Sequence, residues 1–205
     1  MNDSSAPAVN HHAGHPGFAG LTGLAAGLSM LIRGQARARL AADLARVSDG
    51  DRVVDIGCGP GSAVRAAVHR QARATGVDPA PVMLWLARRL TRKQSGVTWS
   101  QGAAEDLPLP DGSATVVWSL ATVHHWKDVA AGLAEVRRLL APTGRFLAIE
   151  RRVRPGATGL ASHGWTDQQV QSFAAQCRSA GFEAVCVDEH GAGRGALWVV
   201  HGLRP

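Results

Sequence analysis

The chain is predicted to fold as an α/β domain, a mostly parallel sheet with helices on both faces. Three observations predict it. From Asp51 onward, short apolar runs alternate with helical segments about a dozen residues long. The first apolar run turns into a glycine-rich stretch, VVDIGCGPG at 53–61, which can bend a strand sharply into a helix. A lone acid, Asp78, stands directly after the second run.

Taken in order, residues 1–17 mix Asn, Asp, Ser, His and Pro without a period, so they are expected to be loose or ordered only by a ligand. Two helical patterns follow, Phe18 to Ile32 and Gln35 to Val47, the second marked by Leu40, Leu44 and Val47 at helical spacing. Strands are expected at Arg52–Ile56, Ala74–Val77, Val97–Gln101, Thr115–Ser119 and Arg145–Glu150, with helices at Ser62–Arg70, Pro81–Lys93 and Val129–Leu140. Thr166-Asp167-Gln168-Gln169 reads as a capping box opening a helix to Ala180, which Gly181 ends. Two last strands are expected at Glu183–Val187 and Ala196–His201. No repeat or low-complexity linker interrupts the pattern, so residues 1–47 read as an N-terminal extension with lid helices and 48–205 as the ligand-binding domain.

At 205 residues the chain has room for one domain with a real core. Its 45% hydrophobic and 19% charged content is that of a globular protein that folds without a partner. The formal charge of +6 raises the question of nucleic acid, but the basic residues are scattered, the densest groups at 33–39 and 151–154 are short, and there is no Tyr and only 4 Phe to stack on bases. No nucleic-acid partner is expected. Cys58, Cys177 and Cys186 show no metal-ligand or redox spacing, which suits a reducing cytoplasm. Phe18–Ile32 is shorter than the about 20 residues of a membrane span and lacks preceding basic residues, so neither membrane insertion nor a signal peptide is expected.

The glycines at 57, 59 and 61 let backbone amides approach a ligand where side chains would collide. A dinucleotide site would want its third glycine at 62, which is Ser62, so the spacing leans away from NAD. Asp78, 21 residues after Gly57, has two acceptor oxygens for the two hydroxyls of a ribose. The alternative is a mere tight turn followed by an Asp-Pro helix cap. Both features together, between predicted strands, favour a nucleoside site.

The chain resembles the class I S-adenosylmethionine (SAM)-dependent methyltransferases of the ubiquinone and menaquinone biosynthesis type over nearly all of residues 40–204. The resemblance rests on VVDIGCGPG at 53–61, GVDPAPVMLWLAR at 76–88, AEDLPLPDGSATVVWSLATVHHW at 104–126 and EVRRLLAPTGRFLAIE at 135–150. It implies a Rossmann-like seven-stranded sheet whose last strand runs antiparallel, with the cofactor across the carboxyl ends of the first, second and fourth strands. It also implies a SAM site at Asp55, Gly57, Cys58, Gly59, Gly61, Asp78, Pro79, Met83, Ala103, Ala104, Glu105 and Leu120. Gly57, Cys58 and Gly59 would meet the methionine part, Asp78 the ribose, and Pro79 with Met83 the adenine. Family members usually carry an acid where this chain has Ala103, so the bond to the adenine amino group must come from Glu105, Asp106 or water, or be missing.

Methyl transfer from a sulfonium is an in-line displacement, so much of its rate comes from alignment in a dry pocket, and a base is needed only if the acceptor must lose a proton. His124 and His125, after the fourth strand, are the catalytic candidates; the same segment can equally just shape the cofactor pocket. A metal site drawing on these two with His11, His12 and His15 has no spacing to fix its geometry, and no metal is expected. Arg151 and Arg152, beyond Glu150, either grip an anionic acceptor or flank the sheet in water, and His163 is a weaker candidate in the next loop. The apolar 18–32 helix is expected to lie over the pocket as a lid, its rivals being a dimer contact and a shallow membrane contact.

The acceptor is expected to be a small molecule, possibly apolar, and the protein a monomer or homodimer. No Asn/Asp-Pro-Pro-aromatic run follows the fourth strand, where SLATVHHW stands, and no Pro-Cys pair occurs, which argues against nucleic-acid bases as acceptors. Two other classes stay open: a non-catalytic SAM-binding sensor or assembly partner, and an NAD-linked oxidoreductase.

Overall fold

Alternating side chains along the strands decide which residues meet which helices. The computed structural model describes residues 8–14 and 20–205. Its elements are α1 (Gly20–Leu44), β1 (Arg52–Ile56), α2 (Ser62–Val68), β2 (Arg73–Asp78), α3 (Pro81–Leu90), β3 (Val97–Gln101), β4 (Ala114–Leu120), α4 (Val129–Leu139), β5 (Leu140–Arg151), α5 (Asp167–Ser179), β6 (Glu183–His190) and β7 (Leu197–Leu203). The strands form one seven-stranded sheet in the order β3-β2-β1-β4-β5-β7-β6. Pairings from β3 through β5 are parallel, and β7 runs antiparallel to both its neighbours.

Val53, Val116, Leu147 and Val199 point to a core shared with α1, α2 and α3. Their chain neighbours Val54, Val117, Phe146 and Val200 point to the other core, under α4 and α5. A sheet buried on both faces needs such continuous apolar strands, and β4 has them. The Thr166 capping box is present: the Thr166 hydroxyl accepts the Gln169 amide at 3.3 Å, and the Gln169 side-chain oxygen accepts the Thr166 amide at 3.0 Å.

Three expectations change. The two N-terminal helical patterns form one helix that runs on through Gly34, which faces Ser62 at the start of α2; a Cβ there would make ordinary contact with it at 3.5 Å. Strand β5 begins at Leu140 instead of Arg145, with a bulge where the register to β4 jumps between Ala114 and Val116. Residues 8–14, expected to be loose, are docked. Val9 is buried in the α4–α5 core, its carbonyl accepts the Trp165 indole N–H at 2.9 Å, and Asn10 donates to the Trp126 carbonyl at 3.0 Å. His15 and the start of the expected lid at Phe18 lie outside the described residues.

The second half of α1 belongs to the core through Ala38, Ala41, Ala42 and Ala45. Its first half crosses α3, where Gly27 faces Met83 and Leu86, and brings Met30 toward Gly59. The helix closes with Arg46 in the left-handed region and the Val47 amide on the Ala42 carbonyl. No described helix is long and apolar enough to cross a membrane.

Candidate functional site

The carboxyl ends of β1, β2, β4 and β5 meet at the glycine turn. Gly57, Gly59 and Gly61 all have positive φ, 71°, 51° and 80°. The amides of Gly57 and Cys58 both donate to the Val77 carbonyl, at 2.8 and 3.0 Å, which ties the turn to β2. At Gly59 the atom nearest to a Cβ is the Met30 sulfur at 3.8 Å, an ordinary contact, so a flexible side chain stands over the turn there. The Cys58 thiol is buried, and burial, then Asp55 and Asp78, push its pKa well up, so it stays a thiol.

Asp78 ends β2 with its carboxylate fixed by two amides, Gly59 N–H at 2.8 Å and Ala80 N–H at 2.9 Å. Helix α3 is capped at Ala80, not at Asp78. Two bonds leave about two further lone-pair positions on the carboxylate. Burial raises the Asp78 pKa in spite of the two amides. Asp55 is buried beside it, and burial, followed by the Asp78 charge, holds its carboxyl well above the usual range. Two desolvated acids at one strand end make a place that favours a cation or hydroxyl donors.

The remaining cofactor candidates spread around this point. Pro79 is exposed, while Met83 is buried under α1. Ala103 is half-buried, forming an isolated bridge with Asp106, and Ala104 is buried. Glu105 is committed elsewhere: its carboxylate accepts the Lys127 and Asp128 amides at 2.6 and 3.2 Å. Of the two side chains expected to replace the acid missing at position 103, this leaves the exposed Asp106. Leu120 ends β4, packed against the α1–α3 core.

Several shaping residues escaped the sequence reading. Thr122, after β4, bonds through its hydroxyl to the Ile56 carbonyl at 3.0 Å and to Ser119 at 2.5 Å, and it fills the space where a Gly57 side chain would be. The Trp99 ring occupies the room left by Gly61 and Gly76, its N–H on the Thr91 hydroxyl at 3.1 Å. Only the alignment of glycines with an aromatic two strands away could have announced it. A separate hollow of about 390 Å³ lined by Arg52, Arg73, Gly96 and Pro110 opens at the amino ends of β1–β3, the opposite end from the glycine turn.

Beside the glycine turn, a 3-10 turn over Val123–His125 places both catalytic candidates at the sheet edge. His124 is buried, with Nδ1 2.9 Å from Glu150 Oε2 at the end of β5. Its Nε2 lies 3.4 Å from His163 Nδ1. His125 packs on His124 with ring centres 4.2 Å apart, and burial, then the neighbouring His124, push its pKa down to about 4. The docked N-terminal segment adds two more imidazoles: His12 stacks on His163 at 4.2 Å, and His11 lies 6.0 Å from His124. Arg151 and Arg152 both have partners within the chain. Arg151 donates to the carbonyls of Leu160, Ala161 and His163, and Arg152 pairs with Asp167 and Glu189.

Residues 54–148 match a family described as methyltransferase domain. The chain is 30% identical over 112 residues to the demethylmenaquinone methyltransferase of Tropheryma whipplei, covering 55% of this chain and 46% of that protein. It is 33% identical over 115 residues to the 27-O-demethylrifamycin SV methyltransferase of Amycolatopsis mediterranei, covering 54% of this chain and 42% of that protein. The aligned stretch thus spans less than half of either relative. A SAM-dependent methyltransferase from Aquifex aeolicus shares the fold, with a TM-score of 0.70 at 15% identity, covering 86% of this chain and 98% of that one.

Proposed function

We propose, from the match of residues 54–148 to the methyltransferase domain family, that the protein binds SAM and transfers its methyl group to an oxygen, nitrogen or carbon of a small-molecule acceptor. One observation carries the reading: a buried carboxylate, Asp78, held at the end of β2 by the Gly59 amide, beside a glycine turn with room for a ligand. These residues fit an adenosyl group. The remaining lone pairs of Asp78 suit two ribose hydroxyls, the turn at Gly57–Gly59 suits the amino-acid tail, and the acid pair of Asp55 and Asp78 suits a positively charged ligand.

When bound, the cofactor supplies an electrophilic methyl. The chain's own part is to bind, align and exclude water. Helix α1 acts as the lid in this reading, since Met30 stands over Gly59 and Gly27 seats the helix on α3. For an acceptor that must shed a proton, His124 is the imidazole equipped to take it, because its Nδ1–H donates to Glu150 and leaves Nε2 as an acceptor. His125, with its pKa near 4, is the weaker base and serves as a wall. The relatives act on compounds named as demethylmenaquinone and 27-O-demethylrifamycin SV, which supports a small, largely apolar acceptor. Three free cysteines, two of them buried, suit a reducing cytoplasm.

Calorimetry with S-adenosylhomocysteine tests the cofactor half: binding to the wild type, lost by about tenfold or more in Asp78→Ala, is the expected result. Methyl incorporation from labelled SAM into a panel of phenolic and quinol acceptors tests the transfer half. A protein that binds the cofactor yet labels nothing across a broad panel would favour a sensor or assembly role, and one that never binds it would end the proposal.

A further inference from the structure

From the imidazole cluster we infer that His124, His125 and His163 form a binding site for a divalent transition-metal ion of the zinc class. One coordinating nitrogen of each lies within 4.8 Å of the others. The His124 Nε2 to His163 Nδ1 separation is 3.4 Å. Two nitrogens on a tetrahedral zinc, each at about 2.0–2.1 Å, stand about 3.3 Å apart, so this pair is already at ligand spacing. A shift on the order of 1 Å brings in the third nitrogen.

The surroundings are those of a ligand set. A carboxylate can only accept, so in the tautomer that donates from Nδ1 to Glu150 the His124 Nε2 lone pair faces His163. A metal-bound histidine is usually held this way by an outer carboxylate. Glu150 is fully buried, and its other oxygen, Oε1, has no hydrogen-bond partner. The Arg37 guanidinium acts on this carboxylate through its charge, with no hydrogen bond to Oε1, and a positive ion one imidazole away would add to that compensation. The donor set is all imidazole, which suits zinc, copper, iron or nickel and not magnesium or calcium.

The site also reaches across the fold. His124 and His125 follow β4, and Glu150 ends β5. His163 sits in a loop pinned by Arg151, and the His12 amide donates to the His124 carbonyl at 2.9 Å. His12, with its ring 5.6 Å from that of His124 and 5.7 Å from that of His125, borders the fourth corner. An ion here would lock the N-terminal segment and the His163 loop onto the sheet edge. The site stands independently of methyl transfer. Only one consequence rests on that reading: with an ion held on Nε2, His124 would no longer offer that lone pair to a proton.

A second group, Cys186, Asp188 and His201, also has metal-like spacing, but Cys186 and Asp188 are exposed on the edge hairpin and Asp188 already pairs with His201 at 3.3 Å. The test must separate the two. Tag-free full-length protein, stripped with EDTA, is titrated with cobalt(II) and then zinc(II). We expect one cobalt per chain with visible ligand-field bands, displaced by one equivalent of zinc. His163→Ala, checked for folding by circular dichroism, should weaken binding by about tenfold or more, and Glu150→Gln, which keeps every ligand, by about tenfold. Cys186→Ser should change nothing. Long-range nitrogen NMR of the wild type gives a readout without variants: ring nitrogens of His124, His125 and His163 should shift on zinc addition. Absence of cobalt bands, unshifted imidazoles, or binding lost in Cys186→Ser and kept in His163→Ala would overturn the site. Homocysteine-nucleoside affinity, measured alongside, reports on the transfer reading alone.

Discussion

Gly57 and Thr122 face each other so closely that a Cβ on the glycine would stand 2.6 Å from the Thr122 methyl. The glycine also has φ of 71°, where an L side chain is strained. Gly57→Ala therefore meets two penalties, about 1–2 kcal/mol for the left-handed backbone and about 1–3 kcal/mol for overpacking. It should lower the melting temperature and weaken S-adenosylhomocysteine binding together. Thr122→Ser, added to it, removes the methyl but keeps Cβ and Oγ1 at 2.7 and 2.8 Å, so it should restore only part of the stability and leave the backbone strain. Full stability in Gly57→Ala alone would show that the contact is slack.

Much of this frame was legible because it is written locally. Arg52–Ile56 and Val97–Gln101 carry strand signals and fall where they were expected, and Thr166 with Gln169 announces its helix in four residues. The misses need partners far away in sequence. Nothing near Val9 says that it will sit under Trp165, 156 residues on, and nothing near Arg151 says that its guanidinium will meet loop carbonyls rather than a ligand. The gap expected between Ile32 and Gln35 is helical instead, facing Ser62 at Gly34, since propensity is a weak prior against tertiary fit. His163 was visible as a residue but not as a neighbour of His124, because the loop that delivers it has no periodic pattern.

Asp55 should make the ligand-free protein pH-sensitive. Its native pKa is raised, so between the ordinary aspartate range and that raised value the folded chain keeps a proton that the unfolded chain has released. Stability should therefore fall as pH rises through that window. Asp55→Asn cannot lose a proton. It should melt a few degrees higher than the wild type at pH 8, with the difference shrinking toward pH 4, while binding S-adenosylhomocysteine less well. A melting difference independent of pH would sink the assignment of the destabilisation to this carboxyl.

Arg151 should act as a clamp on the loop that carries His163. Its guanidinium meets the His163, Leu160 and Ala161 carbonyls at 3.0, 2.6 and 2.8 Å, and such charged hydrogen bonds are worth about 1.5–3 kcal/mol each when a partner is removed without compensation. Arg151→Ala should open residues 159–163 to limited proteolysis and lower stability by about 2–4 kcal/mol, discounted because part of the loop is solvated. Lysine has one point of attachment instead of a fork, so Arg151→Lys should fall between the two. Equal cleavage rates in all three proteins would mean that the loop is held by other contacts.

The first half of α1 should matter more to the acceptor than to the cofactor. Its inner contacts are Gly27 on Met83 and Leu86, and Met30 over Gly59, whereas the core residues Ala38 to Ala45 lie beyond it. Removing residues 1–32 leaves that alanine seam, the glycine turn and Asp78 in place, but strips the cover from the carboxyl edge. Turnover should drop by about tenfold or more, since water exclusion is lost, while S-adenosylhomocysteine affinity changes by only about threefold. Removal of residues 1–14 alone separates the two N-terminal parts: it costs the burial of Val9, about 1.5–3 kcal/mol, but keeps α1 and should keep most turnover. Loss of affinity and turnover in equal measure in the longer deletion would make the helix a scaffold for the glycine turn and not a lid over the acceptor.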